Sequence, residues 1–239
     1  MTYKHINFSA PPSTQPNRMI ISVAGLEKSG KTRFALTAPE PIYFLNLDGG
    51  TEGVIEQFSA KQITVAGISI PDAAPQQTYK DIWEEYKKLV RACFAQQQGT
   101  VVIDTGTREY TLGQLAHFGR MQGNNRYKYG PIYDEIKTLI RAAYESGNMN
   151  AIWLHRMKPQ YVGESWNGIW IPDTMRDTKY EVQANLETFK VHDEAGNVRF
   201  GLKVTDCRKN ANLEGATFWD NEVDFGYVLQ YVVSGQRKP

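Results

Sequence analysis

Eight consecutive residues near the N-terminus have the types and spacing needed to hold phosphate groups. The segment GLEKSGKT, residues 25–32, matches the pattern G-x-x-x-x-G-K-[ST]. Its glycines let backbone N–H groups close around phosphate oxygens, its lysine neutralises phosphate charge, and its hydroxyl is a ligand for Mg²⁺. We therefore predict that ATP with Mg²⁺ binds at Gly25, Glu27, Lys28, Ser29, Gly30, Lys31, Thr32 and Arg33. An ordinary glycine turn with an exposed lysine is the alternative.

A second residue has the position expected of a magnesium ligand. Asp104 ends the apolar run TVVID. Proteins with this type of phosphate loop hold the metal between the loop hydroxyl and an aspartate of this kind. We expect Thr32 and Asp104 to be the protein ligands of Mg²⁺. An aspartate before Thr105 and Gly106 also suits a simple turn, and that interpretation stays open.

The segments around these residues alternate between strand and helix patterns. Apolar runs predict strands at residues 19–24, 42–47, 63–70, 100–104 and 151–155. Helical spacing of apolar residues predicts helices from residue 31, over 82–94 and over 131–145. This alternation indicates an α/β fold with a mostly parallel central sheet flanked by helices. The strand-like segments on either side of HDEAGN add a C-terminal antiparallel hairpin.

The composition limits the class of protein. A chain of 239 residues with 41% hydrophobic residues is long enough for one α/β core, and we expect a mobile lead-in at 1–17 before a single domain at 18–239. Because 27 basic residues nearly balance 26 acidic ones, a nucleic acid would need a local basic patch. Cys93 and Cys207 form no CxxC pair, and no apolar run is long enough to cross a bilayer. We expect a cytoplasmic protein without membrane contact.

Two segments that follow predicted strands combine basic and aromatic residues. Residues 106–130 carry four basic residues against one acidic residue, and residues 156–180 carry four against three. Basic groups for phosphates and aromatic faces for bases are the chemistry of single-strand binding. We read both segments as long loops that bind single-stranded DNA through Arg120, Arg126, Tyr127, Lys128, Arg156, Lys158, Trp166 and Trp170. The alternative is ordinary surface, with the aromatic side chains anchoring each loop to the core.

The order of these features resembles a known family. The phosphate loop, Asp48 after IYFLNL, Asp104, His155 after AIWL and the C-terminal hairpin follow one another as in the compact RecA-like P-loop ATPases of bacteriophages, which act in recombination and single-strand annealing. The segment RYKYGPIYDEIKTLI is also similar to a tyrosine-glycine segment and helix of that group. The resemblance covers roughly residues 19–218.

The resemblance implies catalytic roles for further residues. Asp48 corresponds to the carboxylate that activates water, with Glu52 and Glu109 as alternatives. His155 stands where the family has a polar sensor of the γ-phosphate. The segment GLKVTDCRKN is similar to the RecA strand whose cations reach the neighbouring subunit's γ-phosphate, and it offers Lys203, Arg208 and Lys209. A turn-forming aspartate, a structural histidine and solvated lysines are the respective alternatives.

Three functions fit the sequence. The leading hypothesis is an ATPase with Lys31 and Asp48 as catalytic residues, which binds single-stranded DNA as a ring or filament of identical subunits, together with a single-strand-binding protein. An aspartate is one methylene shorter than the usual glutamate, so slow or DNA-stimulated hydrolysis is expected. The second hypothesis is a nucleotide-dependent switch that binds a protein partner. The third is a small-molecule kinase with the segment 106–130 as an acceptor lid.

Overall fold

Strands and helices alternate along the chain. The computed structural model describes residues 17–120 and 129–238. Its strands are β1 (Ile20–Gly25), β2 (Ile42–Asn46), β3 (Ile63–Gly67), β4 (Thr100–Asp104), β5 (Asn150–Val162), β6 (Ser165–Asp173), β7 (Ala184–His192), β8 (Val198–Cys207) and β9 (Thr217–Trp219). Its helices are α1 (Lys31–Leu36), α2 (Gln76–Phe94), α3 (Gly106–Phe118), α4 (Gly130–Glu145), α5 (Thr178–Glu181) and α6 (Phe225–Ser234).

The strands form a mostly parallel sheet. Its order is β3-β2-β4-β5-β1-β7-β8-β9, and β6 pairs with the outer half of β5. The five pairings that join β3, β2, β4, β5, β1 and β7 in this order are parallel. Strands β8 and β9 are added antiparallel. The predicted fold class is therefore confirmed, including the C-terminal hairpin, which β7 and β8 form. Because β1, β2 and β4 are parallel, their carboxyl ends meet at one edge of the sheet.

Two apolar layers cover the sheet. Successive side chains of a strand point to opposite faces, so Ile20 packs in one layer and Ile21 in the other. Helices α2, α3 and α4 supply the first layer, and α1 and α6 supply the second. All residues of β1 and of β4 are buried, which explains why both strands read as continuous apolar runs. This burial fixes the positions of the loops at their ends.

The first of the two expected loops contains a helix. Residues 106–118 form α3, which the sequence did not reveal because its polar residues obscure the apolar spacing. Thr105 caps it, since its Oγ1 accepts a hydrogen bond from the Arg108 N–H at 3.2 Å. The helix buries Leu112 and Ala116, and also the carboxyl of Glu109. The interpretation of 106–130 as one long loop was wrong for this part.

The second expected loop is mainly a β-hairpin. Strand β5 does not end at His155 but continues to Val162 and pairs antiparallel with β6. The sequence pattern missed it because the hairpin is exposed on both faces and therefore lacks the usual alternation of apolar and polar residues. Strand β9 and helix α6 were also not predicted. Across the described ranges, 17–120 and 129–238, no helix is both long and apolar enough to cross a membrane.

Candidate nucleotide-binding site

The phosphate loop joins β1 to α1 at the carboxyl edge of the sheet. Gly25 is closely packed: a Cβ there would lie 2.3 Å from the Thr188 Oγ1 and 2.5 Å from the Ser29 Oγ. Gly30 has φ 95°, in the left-handed region that glycine adopts without strain. Ser29 is buried, and its Oγ is 2.8 Å from the Thr188 Oγ1 of the neighbouring strand β7. The hydroxyl pair anchors the loop to the sheet.

The side chain of Lys31 folds back over the loop. Its Nζ donates hydrogen bonds to the carbonyl oxygens of Gly25, at 2.8 Å, and Leu26, at 2.9 Å. Burial lowers the pKa of Lys31, and the nearby carboxylates of Asp104 and Asp48 oppose that effect. The ammonium group is thus held at the mouth of the loop, where phosphate oxygens would replace the two carbonyl groups as its acceptors.

Thr32 and Asp104 are brought together from different elements. The Thr32 Oγ1 donates to the Asp104 Oδ2 at 3.0 Å. Burial raises the pKa of Asp104 to about 6, although the hydrogen bond from Thr32 works against the increase. Oxygen donors are what Mg²⁺ prefers, and proteins usually hold this ion by one or two carboxylates together with substrate phosphates. The pair therefore fits the predicted magnesium ligands.

Asp48 lies beside this pair and is bound by an arginine. The guanidinium of Arg156, in β5, donates from Nε to the Asp48 Oδ2 at 3.3 Å and from Nη2 to the Asp48 Oδ1. Asn46 fixes the turn that carries Asp48, because its Oδ1 accepts the N–H groups of Asp48, at 3.2 Å, and Gly49, at 2.9 Å. Both carboxylate oxygens of Asp48 therefore accept hydrogen bonds from Arg156.

These residues surround a cavity of 520 Å³. A volume of this size lies within the range of about 300–1,000 Å³ that is common for small-molecule sites. Its lining residues are Gly25, Leu26, Glu27, Lys28, Lys31, Thr32, Asp48, Gly50, Asp104, Thr105, Arg156, Met157 and Trp170. Three residues predicted to contact the nucleotide lie elsewhere: Ser29, Gly30 and the exposed Arg33 line a separate cavity of 240 Å³ beside Phe200. The larger cavity is the candidate nucleotide site.

His155 does not line this cavity. Its side chain is buried, with 1% of its surface exposed, and neither ring nitrogen has a hydrogen-bond partner among the described residues. Burial lowers the pKa of His155 to about 3, so the imidazole is neutral. Its ring packs against the backbone of Gly106. Because side chains alternate along β5, the next residue, Arg156, faces the cavity in the place expected for His155.

Arg208 and Lys209 lie at the opposite end of the sheet from the phosphate loop of their own chain. Thr188 pairs with Gly25 beside the loop, whereas Cys207 pairs with Ala184 at the far end of β7. The Arg208 guanidinium donates to the Tyr180 carbonyl, and the Lys209 Nζ donates to the Arg18 carbonyl at 3.2 Å. A role of either cation in the site of a neighbouring subunit stays a prediction.

The expected DNA-binding residues fall into two groups. Arg126, Tyr127 and Lys128 lie outside the described residues, and Arg120 is exposed after α3. The other group lies on the hairpin of β5 and β6, with exposed fractions of 51% for Trp166 and 42% for Trp170. The two indole rings are 5.9 Å apart in an edge-to-face arrangement. Trp170 also lines the nucleotide cavity and a second cavity of 530 Å³ behind the hairpin.

Comparisons with known proteins report similarity at the level of the fold. No protein-family model matches the sequence, and no curated protein is significantly similar to it. The structure is similar to the crystal structure of the RadB recombinase, with a TM-score of 0.47 and 13% identity over 85% of this chain and 86% of that chain. It is also similar to an ATPase from the type III secretion system of pathogenic bacteria, with a TM-score of 0.48 and 11% identity over 78% and 64%.

Three contributors to the site were missed or misassigned from the sequence. Arg156 was expected only to contact nucleic acid, yet it lines the nucleotide cavity. Thr188 supports the phosphate loop from β7, and Asn46 holds the turn before Asp48. Asn46 had a local signal, since an asparagine two residues before an Asp-Gly pair favours an Asx-turn. Thr188 had none, because its contact depends on the pairing of β1 with β7.

Proposed function

We propose that this chain binds MgATP in the cavity above the phosphate loop and hydrolyses it slowly. The observation that carries the proposal is the convergence of Lys31, Thr32, Asp48 and Asp104 around one cavity, although they come from three separate parts of the chain. Each has the chemistry that phosphoryl transfer needs: a cation, an oxygen pair for the metal and a further carboxylate. The Thr32–Asp104 hydrogen bond supports the metal assignment.

Each of these residues has a separate role in the proposed hydrolysis. Backbone N–H groups of the loop and Lys31 would hold the phosphate oxygens, and Thr32 with Asp104 would hold Mg²⁺, which would supply charge neutralisation. Asp48 orients a water molecule and accepts its proton. The water oxygen forms a bond to the γ-phosphorus while the bond from that phosphorus to the bridging oxygen breaks. The products are ADP and inorganic phosphate.

We further propose that the hairpin of β5 and β6 binds single-stranded DNA. Lys158 and Arg156 supply contacts to phosphates, and the exposed rings of Trp166 and Trp170 supply stacking surfaces. Trp170 and Arg156 belong to both the hairpin and the nucleotide cavity, so a nucleotide bound there would lie against the proposed DNA-binding surface. The resemblance to phage RecA-like ATPases supports a role in recombination or strand annealing as a homo-oligomer, with a single-strand-binding protein as a partner.

A nucleotide-dependent switch is the second candidate. It is favoured by one observation, the ion pair that engages both oxygens of Asp48 and leaves the carboxylate occupied. A protein of this type would bind ATP, change its affinity for a partner and turn nucleotide over very slowly. The two candidates differ in whether the hairpin binds a nucleic acid.

Fluorescence anisotropy of a labelled single-stranded oligonucleotide tests the DNA-binding proposal. The titration is made with and without MgATP over a salt series. We expect binding that tightens with MgATP and weakens steeply with salt, because cations that contact phosphates release counterions. Lys158→Ala should reduce the salt slope by about one, whereas Lys190→Ala, an exposed lysine on β7, is the matched control and should not. Absence of binding at low salt in both nucleotide states would favour the switch.

A further inference from the structure

The contact between Asp48 and Arg156 joins the end of β2 to the root of the hairpin. One guanidinium group donates to both oxygens of one carboxylate, through Nε to Oδ2 at 3.3 Å and through Nη2 to Oδ1. Both side chains line the nucleotide cavity. The Asp48 side chain is 25% exposed and that of Arg156 is 53% exposed, so the arginine is the more accessible partner.

This pairing competes with the role that the proposed reaction requires of Asp48. A carboxylate activates water by accepting a hydrogen bond from it and then taking its proton, which needs a suitably placed lone pair. When a guanidinium fork occupies both oxygens, it claims the best-directed lone pairs. Arg156 thus competes with a water molecule for the Asp48 carboxylate.

We propose that Arg156 is a positioning residue that holds Asp48 inactive until a phosphate group draws the guanidinium away. The inference rests on the proposed ATPase function. A phosphate oxyanion offers arginine the same two-point pairing as a carboxylate with more charge, and it can therefore compete for Arg156. We assign this group to a backbone phosphate of a strand on the hairpin, because the terminal phosphate of ATP is present in every turnover and would already free Asp48 in wild type.

The backbone around Arg156 is held in place, so the exchange is a movement of the side chain. The Arg156 N–H donates to the Thr107 Oγ1 at 3.0 Å, and the Thr107 Oγ1 donates to the Asp173 carbonyl at 2.6 Å. Arg156 and Asp173 are also partners in the β5–β6 register. Thr107 thus ties both strands of the hairpin to the start of α3. Rotation of the arginine side chain frees Asp48 without displacement of the hairpin.

Steady-state ATP turnover of Arg156→Gln tests the proposal, because the proposal predicts that kcat rises when the arginine is removed. We expect kcat without DNA to rise by roughly threefold or more, since a freed general base contributes up to about 10²–10⁴-fold, while KM stays close to the wild-type value. Arg156→Lys, whose single ammonium group cannot pair with both Asp48 oxygens at once, should raise kcat less than Arg156→Gln does. A kcat that is unchanged or lower in Arg156→Gln, with ATP still bound, would overturn the proposal.

Arg199→Gln is the matched control. The Nε atom of Arg199, a residue of β8, lies 2.8 Å from the Oδ2 atom of Asp220. Their side chains are 45% and 42% exposed, and neither residue lines the nucleotide cavity. Its removal should leave kcat unchanged. If Arg199→Gln raised kcat as much as Arg156→Gln, the increase would be a general effect of losing an exposed ion pair, and the proposal would fail.

A single-stranded oligonucleotide added to the same assays identifies the source of the phosphate. If the strand opens the pair, DNA stimulates wild type up to the rate of Arg156→Gln and adds nothing to the variant. If the nucleotide opens it, wild type and Arg156→Gln have the same kcat before DNA is added, and the inference fails. ATP binding to both proteins is measured in parallel. If wild type did not bind ATP, the proposed function itself would be refuted. If Arg156→Gln bound ATP but did not turn it over faster than wild type, only this inference would be refuted.

Discussion

The Thr32 hydroxyl donates a hydrogen bond to the carboxylate of Asp104 across 3.0 Å, although 72 positions separate the two residues in the chain. The pairing arises because β1 and β4 are both parallel neighbours of β5, so the loop after β1 and the last residue of β4 reach the same edge of the sheet. The Thr32 Oγ1 and the Asp104 Oδ2 are the metal ligands of the proposed site. Changes to either should affect nucleotide binding only when Mg²⁺ is present.

Thr32→Val should weaken ATP binding in the presence of Mg²⁺. The substitution keeps the shape of the side chain and removes its hydroxyl, so we expect a loss of about tenfold in affinity, equivalent to about 1.4 kcal/mol. Isothermal titration calorimetry with Mg²⁺ and with a chelator checks this. The two proteins should bind ATP equally well in chelator, and a tenfold loss there as well would show that Thr32 acts on the loop rather than on the metal.

Gly25→Ala should destabilise the protein and disrupt the phosphate loop. The added Cβ would lie 2.3 Å from the Thr188 Oγ1 and 2.6 Å from the Thr188 carbonyl oxygen, so β7 or the loop must move. Overpacking of this kind costs about 1–3 kcal/mol. Urea denaturation measures the loss. Gly50→Ala is the control, because Gly50 also lines the cavity but a Cβ added there would meet no atom within 4 Å, and wild-type stability in Gly25→Ala would contradict the packing argument.

Glu109 should make the stability of the protein depend on pH. Burial raises its pKa to about 7 from 4.5, while hydrogen bonds from Tyr86 and Trp153 oppose the increase. A raised pKa in the folded state means that the stabilisation is complete below about pH 4.5 and is lost as the pH rises to about 7, by roughly 3 kcal/mol at most. The stability of wild type relative to Glu109→Gln should therefore fall between pH 5 and 8, as thermal denaturation of both proteins would show. Parallel pH profiles would contradict the assignment.

Trp166→Ala should weaken binding of single-stranded DNA without affecting ATP binding. Trp166 is 51% exposed near the tip of the hairpin and does not line the nucleotide cavity. Loss of one stacking surface costs about 1–3 kcal/mol. Anisotropy titrations of a labelled oligonucleotide measure the change. Val191→Ala, an exposed apolar residue on β7, serves as the control and should bind DNA as wild type does.

The sequence predicted those parts of the fold whose signals are local. The β1 and β4 strands are buried on both faces, so their apolar runs marked them clearly, and the phosphate loop follows from residue type and spacing alone. The β5–β6 hairpin and helix α3 were missed because neither has a regular apolar period. Such elements are fixed by contacts between distant segments, for example the bonds from Thr107 to the hairpin.

The same distinction separates the site residues. Lys31 and Thr32 belong to one continuous pattern, and Asp48 and Asp104 each end a recognisable strand, so their convergence could be anticipated. The orientation of the His155 side chain could not be anticipated from the sequence, because it depends on where β5 ends. The apolar run ends at His155, but β5 continues, and its pleat turns the histidine into the core and Arg156 into the cavity.

Equilibrium binding of a fluorescent ATP analogue to wild type and to Lys31→Ala, in the presence of Mg²⁺, tests the nucleotide assignment most directly. The Lys31 ammonium already bridges two loop carbonyl groups at 2.8 and 2.9 Å, which places it at the mouth of the loop where phosphates would enter. The assignment predicts saturable binding to wild type and a loss of affinity of at least about tenfold in the variant, since charged hydrogen bonds contribute about 1.5–3 kcal/mol. Equal affinity of the two proteins, or no binding to wild type, would contradict it.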